Sequence, residues 1–248
     1  MKTIVVANWK MNPASMREAK KLFEATRNAA DGARNVSIIV APPSLFLREL
    51  STNYKGKKIL FAVQNAHFDK GGAYTGEISM VEAKDSKASA VIIGHAERRA
   101  MGETNEETRA KVNAALALKM VPIFCVGEAK RSGSGEHFLF VKEQLRTGLA
   151  DIAPAALNKI LISYEPVWAI GADKAMSPRQ MHEMAIFIRK SVVGMYGEKA
   201  MGVKILYGGS IDATNAKDMR ENGDIVGFIL GRASSDAEKF TALMKSLA

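Results

Sequence analysis

Only one of the 248 residues is a cysteine, Cys125. An intramolecular disulfide framework and a cysteine-based zinc cluster are thereby excluded, and a reducing compartment suits the chain. Long apolar runs are missing as well. The longest, such as residues 88–94, stop at glycine, proline or charge well before the roughly 18 residues a bilayer span needs. No basic stretch leads an apolar core at the N-terminus, and no small-residue cleavage site follows one, so a soluble cytoplasmic protein with no membrane partner is expected. Linkers and low-complexity tracts are absent, and the length fits one sizeable domain over residues 1–248. Lys and Arg total 35 against 26 Asp and Glu, a net charge of +9. The basic clusters at residues 55–58, 98–99 and 130–131 are scattered among acids and lack interleaved aromatics. That pattern argues against a nucleic-acid partner and leaves a modest preference for anions, including a small acidic substrate.

What is present is alternation. Short, continuously apolar runs at 3–7, 36–41, 59–64, 90–94, 121–126, 159–164, 203–207 and 225–230 read as strands covered on both faces, as in a parallel sheet. Between them lie amphipathic stretches at 15–30, 44–52, 80–86, 105–119, 136–152, 178–196, 213–221 and 235–247. Ser177 followed by Pro178 sets an N-cap acceptor beside a proline at the first helical position. Eight strand-then-helix units in series predict an α/β fold, a closed (β/α)8 barrel of parallel strands. An open doubly wound sheet would normally carry a glycine fingerprint after its first strand, where this chain has Asn8, Trp9 and Lys10.

Barrels of this kind work at the C-terminal ends of their strands. Asn8 and Lys10 follow the first, His95 and Glu97 the fourth, Glu165 the sixth, Gly208, Gly209 and Ser210 the seventh, and Gly231 the eighth. Glu165, just before Pro166, is placed to project a carboxylate into the barrel mouth as a general base, although a lone glutamate is usually a surface residue or a cap. His95 opens a helical turn whose unpaired N–H groups favour neutral imidazole, a donor to a carbonyl oxygen. His67, His137 and His182 read as structural. None of the four histidines has metal-ligand spacing, so no metal is expected. Gly208-Gly209-Ser210 frees backbone N–H groups for an anion, and Gly231 supplies the matching half of a phosphate site.

Taken in order, Ala7-Asn8-Trp9-Lys10-Met11-Asn12, Gln64-Asn65-Ala66, Thr75-Gly76-Glu77, Gly94-His95-Ala96-Glu97-Arg98-Arg99, Cys125-Val126-Gly127-Glu128, Tyr164-Glu165-Pro166-Val167-Trp168-Ala169-Ile170-Gly171 and Tyr207-Gly208-Gly209-Ser210 resemble the triosephosphate isomerase family over nearly the whole chain. The resemblance implies a TIM barrel and an aldose–ketose isomerase of triose phosphates in central carbon metabolism, working without a cofactor. It implies Glu165 as the proton shuttle, His95 and Lys10 as stabilisers of enediolate oxygens, Asn8 as an aid to their placement, and Glu97 as a support for Lys10. Gly171, Ser210, Gly231 and Arg232 would offer N–H groups to the phosphate. Residues 166–176, among them Pro166, Val167, Trp168, Lys174, Ala175 and Met176, would close as a lid with Trp168 at its first hinge, and Cys125 would pack near the site. A homodimer is implied, the loop at 67–77 with Thr75, Gly76 and Glu77 reaching toward Lys10 and Met11 of a second copy.

Departures from the family pattern cluster near the site. Ala96 stands where serine is usual, so Glu165 is expected to rest differently. Asp173 replaces a glycine at the lid tip, and Arg232 replaces a glycine beside the phosphate, where it either touches the phosphate, pairs with Asp173 or points into solvent. The segment at 100–102 and Val226, where aspartate is common, have no reading from sequence. Two other functions compete: a different phosphosugar isomerase on the same barrel, and a non-catalytic binding or adhesion protein that kept the scaffold.

Overall fold

The computed structural model describes residues 2–131, 133–170 and 175–248. Eight parallel strands, β1 (Thr3–Asn8), β2 (Val36–Ala41), β3 (Ile59–Val63), β4 (Ala90–Ile93), β5 (Val121–Val126), β6 (Leu161–Tyr164), β7 (Lys204–Tyr207) and β8 (Gly227–Leu230), pair in sequence order. β8 returns to β1 and closes the barrel, with Val5 opposite Phe228 on one side and Ile38 on the other. Alternation along each strand divides the core in two. Val6, Ile39, Ala62, Ile92, Ile123, Leu161, Leu206 and Ile229, drawn from all eight strands, form one buried cluster, the barrel interior. Their neighbours, such as Val5, Ile38, Phe124 and Phe228, join the larger cluster under the helices. Burial on both faces is why the strands read as unbroken apolar runs.

The helices are α1 (Met16–Gly32), α2 (Ser44–Asn53), α3 (Met80–Asp85), α4 (Ala96–Ala100), α5 (Asn105–Ala117), α6 (Glu136–Gly148), α7 (Pro178–Tyr196), α8 (Ala216–Asn222) and α9 (Ala237–Ser246). Capping boxes at Ser79 with Glu82, Thr104 with Glu107 and Ser177 with Gln180 start α3, α5 and α7 by satisfying otherwise orphaned N–H groups. Several ends differ from the sequence reading, each for a local reason. α5 stops short of 119 because Lys119 takes a left-handed backbone, φ 58°. α6 ends four residues before 152, since Asp151 is left-handed and Pro154 opens a 3-10 turn over Pro154–Lys159. The Asp212 carboxylate accepts from the Thr214 N–H at 2.8 Å, a turn that delays α8 to Ala216. Residues Arg232–Ser235 form a 3-10 turn, and the Asp236 side chain caps α9. Val226, unexplained from sequence, packs against the barrel interior. Among the described residues no helix is long and apolar enough to cross a membrane.

Barrel closure runs through Gly227. A Cβ there would overlap the backbone of Ile4 on β1. Gly227→Ala is therefore expected to destabilise the fold by about 3 kcal/mol, the upper part of the overpacking range, read as a lower urea midpoint with little change in slope.

Candidate active site

The C-terminal ends of the strands open into a cleft of about 630 Å3, lined by Asn8, Lys10, His95, Glu165, Gly208 and Gly231, among others. Asn8 ends β1 with its side chain buried, and its Oδ1 accepts the Lys10 N–H at 3.0 Å. Lys10 is held in a left-handed conformation, φ 54°, and its carbonyl accepts from Gln64 Nε2 at 2.8 Å. This strained backbone sends the ammonium into the cleft, where it meets Glu97 Oε1 at 2.5 Å.

His95 is the N-cap of α4. Its Nδ1 accepts the Glu97 N–H at 3.2 Å, which leaves Nδ1 without a proton and the neutral ring's N–H on Nε2. Nε2 lies 3.8 Å from Glu165 Oε2. Glu165 is 2% exposed. With alanine at 96 its carboxylate takes other donors: the Ala96 backbone N–H reaches Oε2 at 3.2 Å and the Ser163 hydroxyl reaches Oε1 at 3.3 Å. Two glycines allow this seat, since a Cβ on Gly208 would come within 2.6 Å of Glu165 Cγ and one on Gly127 would overlap the Glu165 carbonyl. Cys125 is fully buried, and burial followed by the neighbouring Glu165 charge pushes its thiol up, so it stays protonated. Among the described residues no group of three or more His, Cys, Asp or Glu could hold a metal ion.

The phosphate-binding candidates converge on the same cleft. Ser210, Gly231 and Arg232 line it, together with Ala175 from the lid. Ser210 already donates its N–H to Ala169 O at 3.2 Å. At the start of the segment expected to form a lid, Trp168 Nε1 donates to Glu128 Oε1 at 2.8 Å, and the Tyr164 hydroxyl reaches the same buried carboxylate at 2.9 Å. Pro166 and Val167 join this anchor to Glu165, Val167 N–H bonding Glu128 O at 2.9 Å. At the far end the Met176 N–H meets the Tyr207 hydroxyl at 3.2 Å, a phenol that burial pushes up to about 12. Gly171, Asp173 and Lys174, with the suggested pairing of Asp173 and Arg232, lie outside the described residues. Thr75, Gly76 and Glu77 stand apart from the cleft on an exposed loop in which His67 stacks on Phe68 and Tyr74.

The family profile described as triosephosphate isomerase matches residues 3–247. The chain belongs to the triosephosphate isomerase family. Its relatives include the triosephosphate isomerase of Endomicrobium trichonymphae, 42% identical over 98% of each chain, and that of Flavobacterium johnsoniae, 39% identical over 99% of each. The crystal structure of triosephosphate isomerase from Bartonella henselae superposes with a TM-score of 0.86 at 32% identity, covering 99% of both chains.

In this member of the triosephosphate isomerase family the turn that carries His95 is fixed from behind by residues the sequence reading did not single out. Gly94, at φ 72°, donates its N–H to Glu103 Oε2 at 3.1 Å, while its carbonyl accepts from Arg99 Nε at 2.8 Å. Glu103 forms a buried ion pair with Lys111, whose ammonium also reaches Asn65 Oδ1 at 2.9 Å. Arg99 extends the clamp to the Cys125 carbonyl at 3.2 Å, joining β4 to β5 under the cleft. Gln64, Glu128, Ser163 and Tyr207 were likewise passed over as site residues. Gln64, Glu128 and Tyr207 stand inside quoted motifs, whereas Ser163 is one serine in an apolar strand and carries no signal. Removing one partner of a buried pair strands the other charge. Glu103→Ala is expected to cost about 3–5 kcal/mol in urea unfolding, and Lys111→Met a similar amount.

Proposed function

We propose that this chain is a triose-phosphate isomerase in activity, interconverting glyceraldehyde 3-phosphate and dihydroxyacetone phosphate within one catalytic domain. The observation that carries the reading is a buried carboxylate, Glu165, facing the protonated Nε2 of a neutral His95 across a cleft that also holds Lys10. In the forward direction Glu165 takes the proton from the carbon beside the carbonyl, and the electron pair moves toward the carbonyl oxygen. His95 Nε2–H and the Lys10 ammonium stabilise that oxygen as negative charge develops, with Asn8 helping to place them. Glu165 then returns the proton to the neighbouring carbon while the oxygens exchange theirs through His95. No electrons leave the substrate, so the reaction as drawn calls for no cofactor.

The phosphate would sit against the N–H groups of Ser210, Gly231, Arg232 and Gly171. Ser210 links this step to the lid, because a phosphate competes with Ala169 O for the same N–H. Closure of residues 166–176 would exclude water, which both strengthens the electrostatics and protects an enediol phosphate from losing its phosphate.

Exposed apolar side chains support a homodimer. Met11 after β1, Leu45 in the first turn of α2, Tyr74 after β3 and Met101 at the end of α4 are large apolar side chains left exposed, Met11 at 93% and Leu45 at 89%. They belong to four consecutive strand-to-helix connections, and exposed apolar side chains of this kind support docking against a second copy through the loop at 67–77. A lone buried cysteine supports the reducing cytoplasm as the compartment.

In a coupled assay, Glu165→Gln is expected to lower kcat by about 10²- to 10⁴-fold with the fold intact. Wild-type protein that is folded yet inactive would defeat the reading. The dimer has its own test: Thr75→Arg should move the sedimenting mass from two chains to one, whereas a wild type that sediments as a monomer would refute the dimer alone.

A further inference from the structure

The cleft is larger than the proposed substrate needs. At about 630 Å3 it falls among sites for drug-sized ligands, whereas a triose phosphate has only about ten non-hydrogen atoms. The lining extends beyond the phosphate cradle, from Gly231 and Arg232 to Lys239 and Ala242 on α9 and to Thr214 and Asn215. Both Arg232 and Lys239 are exposed to this extension. Two acids stand nearby and keep their charge, their carboxylates turned to local donors. Asp212 accepts from the N–H and the hydroxyl of Thr214 at 2.8 and 2.5 Å, and Asp236 accepts from the N–H groups of Glu238 and Lys239 at 3.1 Å each. Lys239 has only a loose approach to Asp236, 3.7 Å, and no described residue pairs with the Arg232 guanidinium.

We propose that Arg232 and Lys239 form a second anion subsite continuous with the phosphate cradle, so that ligands carrying two phosphate-type groups occupy the cleft in preference to those carrying one. A guanidinium suits this task, since its planar fork meets phosphate oxygens through paired hydrogen bonds, and the Lys239 ammonium adds a mobile point charge. Such ligands would be inhibitors of the isomerisation, because the second group finds a partner that a triose phosphate does not use. The subsite rests on the reading of Gly231 and its neighbours as a phosphate cradle.

The probes are orthophosphate, pyrophosphate and glycerol 1,3-bisphosphate, each titrated by calorimetry and as an inhibitor of the coupled assay. Pyrophosphate or the bisphosphate is expected to compete with the triose phosphate and to bind about tenfold more tightly than orthophosphate. Whichever of the two shows the larger preference identifies the source as inorganic or as a three-carbon compound. Arg232→Gln and Lys239→Gln should each reduce the preference by about threefold or more, and Lys239→Gln should leave kcat and KM for the triose phosphate unchanged. A preference below about twofold for both probes, a preference unchanged in both variants, or inhibition without competition would overturn the subsite. Calorimetry separates the two ideas. Turnover without a preference defeats the subsite alone, whereas a preference without turnover defeats the isomerase reading alone.

Discussion

Lys10 and Glu165 share one cleft without neutralising each other, and the rest of the site is arranged around that separation. An ammonium paired directly with the base would hold its proton-accepting oxygens and abolish its basicity. Glu97 prevents this by pairing with Lys10 at 2.5 Å, so the ammonium is engaged by a carboxylate other than Glu165. Glu165 in turn is seated by neutral donors at 3.2 and 3.3 Å, contacts long enough to give way when a substrate arrives. The same α4 turn serves both, since Ala96 N–H positions Glu165 while Glu97 N–H sets the His95 tautomer and Glu97's carboxylate takes Lys10. Five residues of helix thus sort a base, a neutral donor and a cation into three distinct positions.

That economy explains which parts of the molecule could be read from the sequence. The barrel was legible because strands buried on both faces leave apolar runs that no half-exposed sheet would show, and because Ser177 before Pro178 marks a helix start by chemistry that is local in the chain. His95, Glu165 and Lys10 were legible by their place after those runs. The roles of Gln64 and Ser163 were not: Gln64 donates to the carbonyls of Lys10 and Ala41, contacts between strands about which sequence spacing says nothing, and Ser163, two residues before Glu165, is a single hydroxyl in an apolar run. In sequence, Glu103 just before the α5 stretch and Lys111 within it look like ordinary surface charges. Only burial shows that they brace the Gly94 turn.

The departures near the site also take on physical meaning. Alanine at position 96 does not leave Glu165 unsupported, because the backbone N–H that any residue would present there does the seating, and the Ser163 hydroxyl supplements it from the strand below. The constraint falls on backbone direction more than on side-chain identity, which is why the Gly94 turn is held at both its N–H and its carbonyl.

The Trp168 indole ties the lid to Glu128, an acid buried outside the cleft and shared with Tyr164. Any movement that carried Trp168 away would take from this buried carboxylate one of its donors among the described residues. The seat of Trp168 is therefore a property of the β5 loop, which lies outside the cleft. A substitution in that loop can change how tightly residues 166–170 are held without altering a residue of its own that lines the cleft.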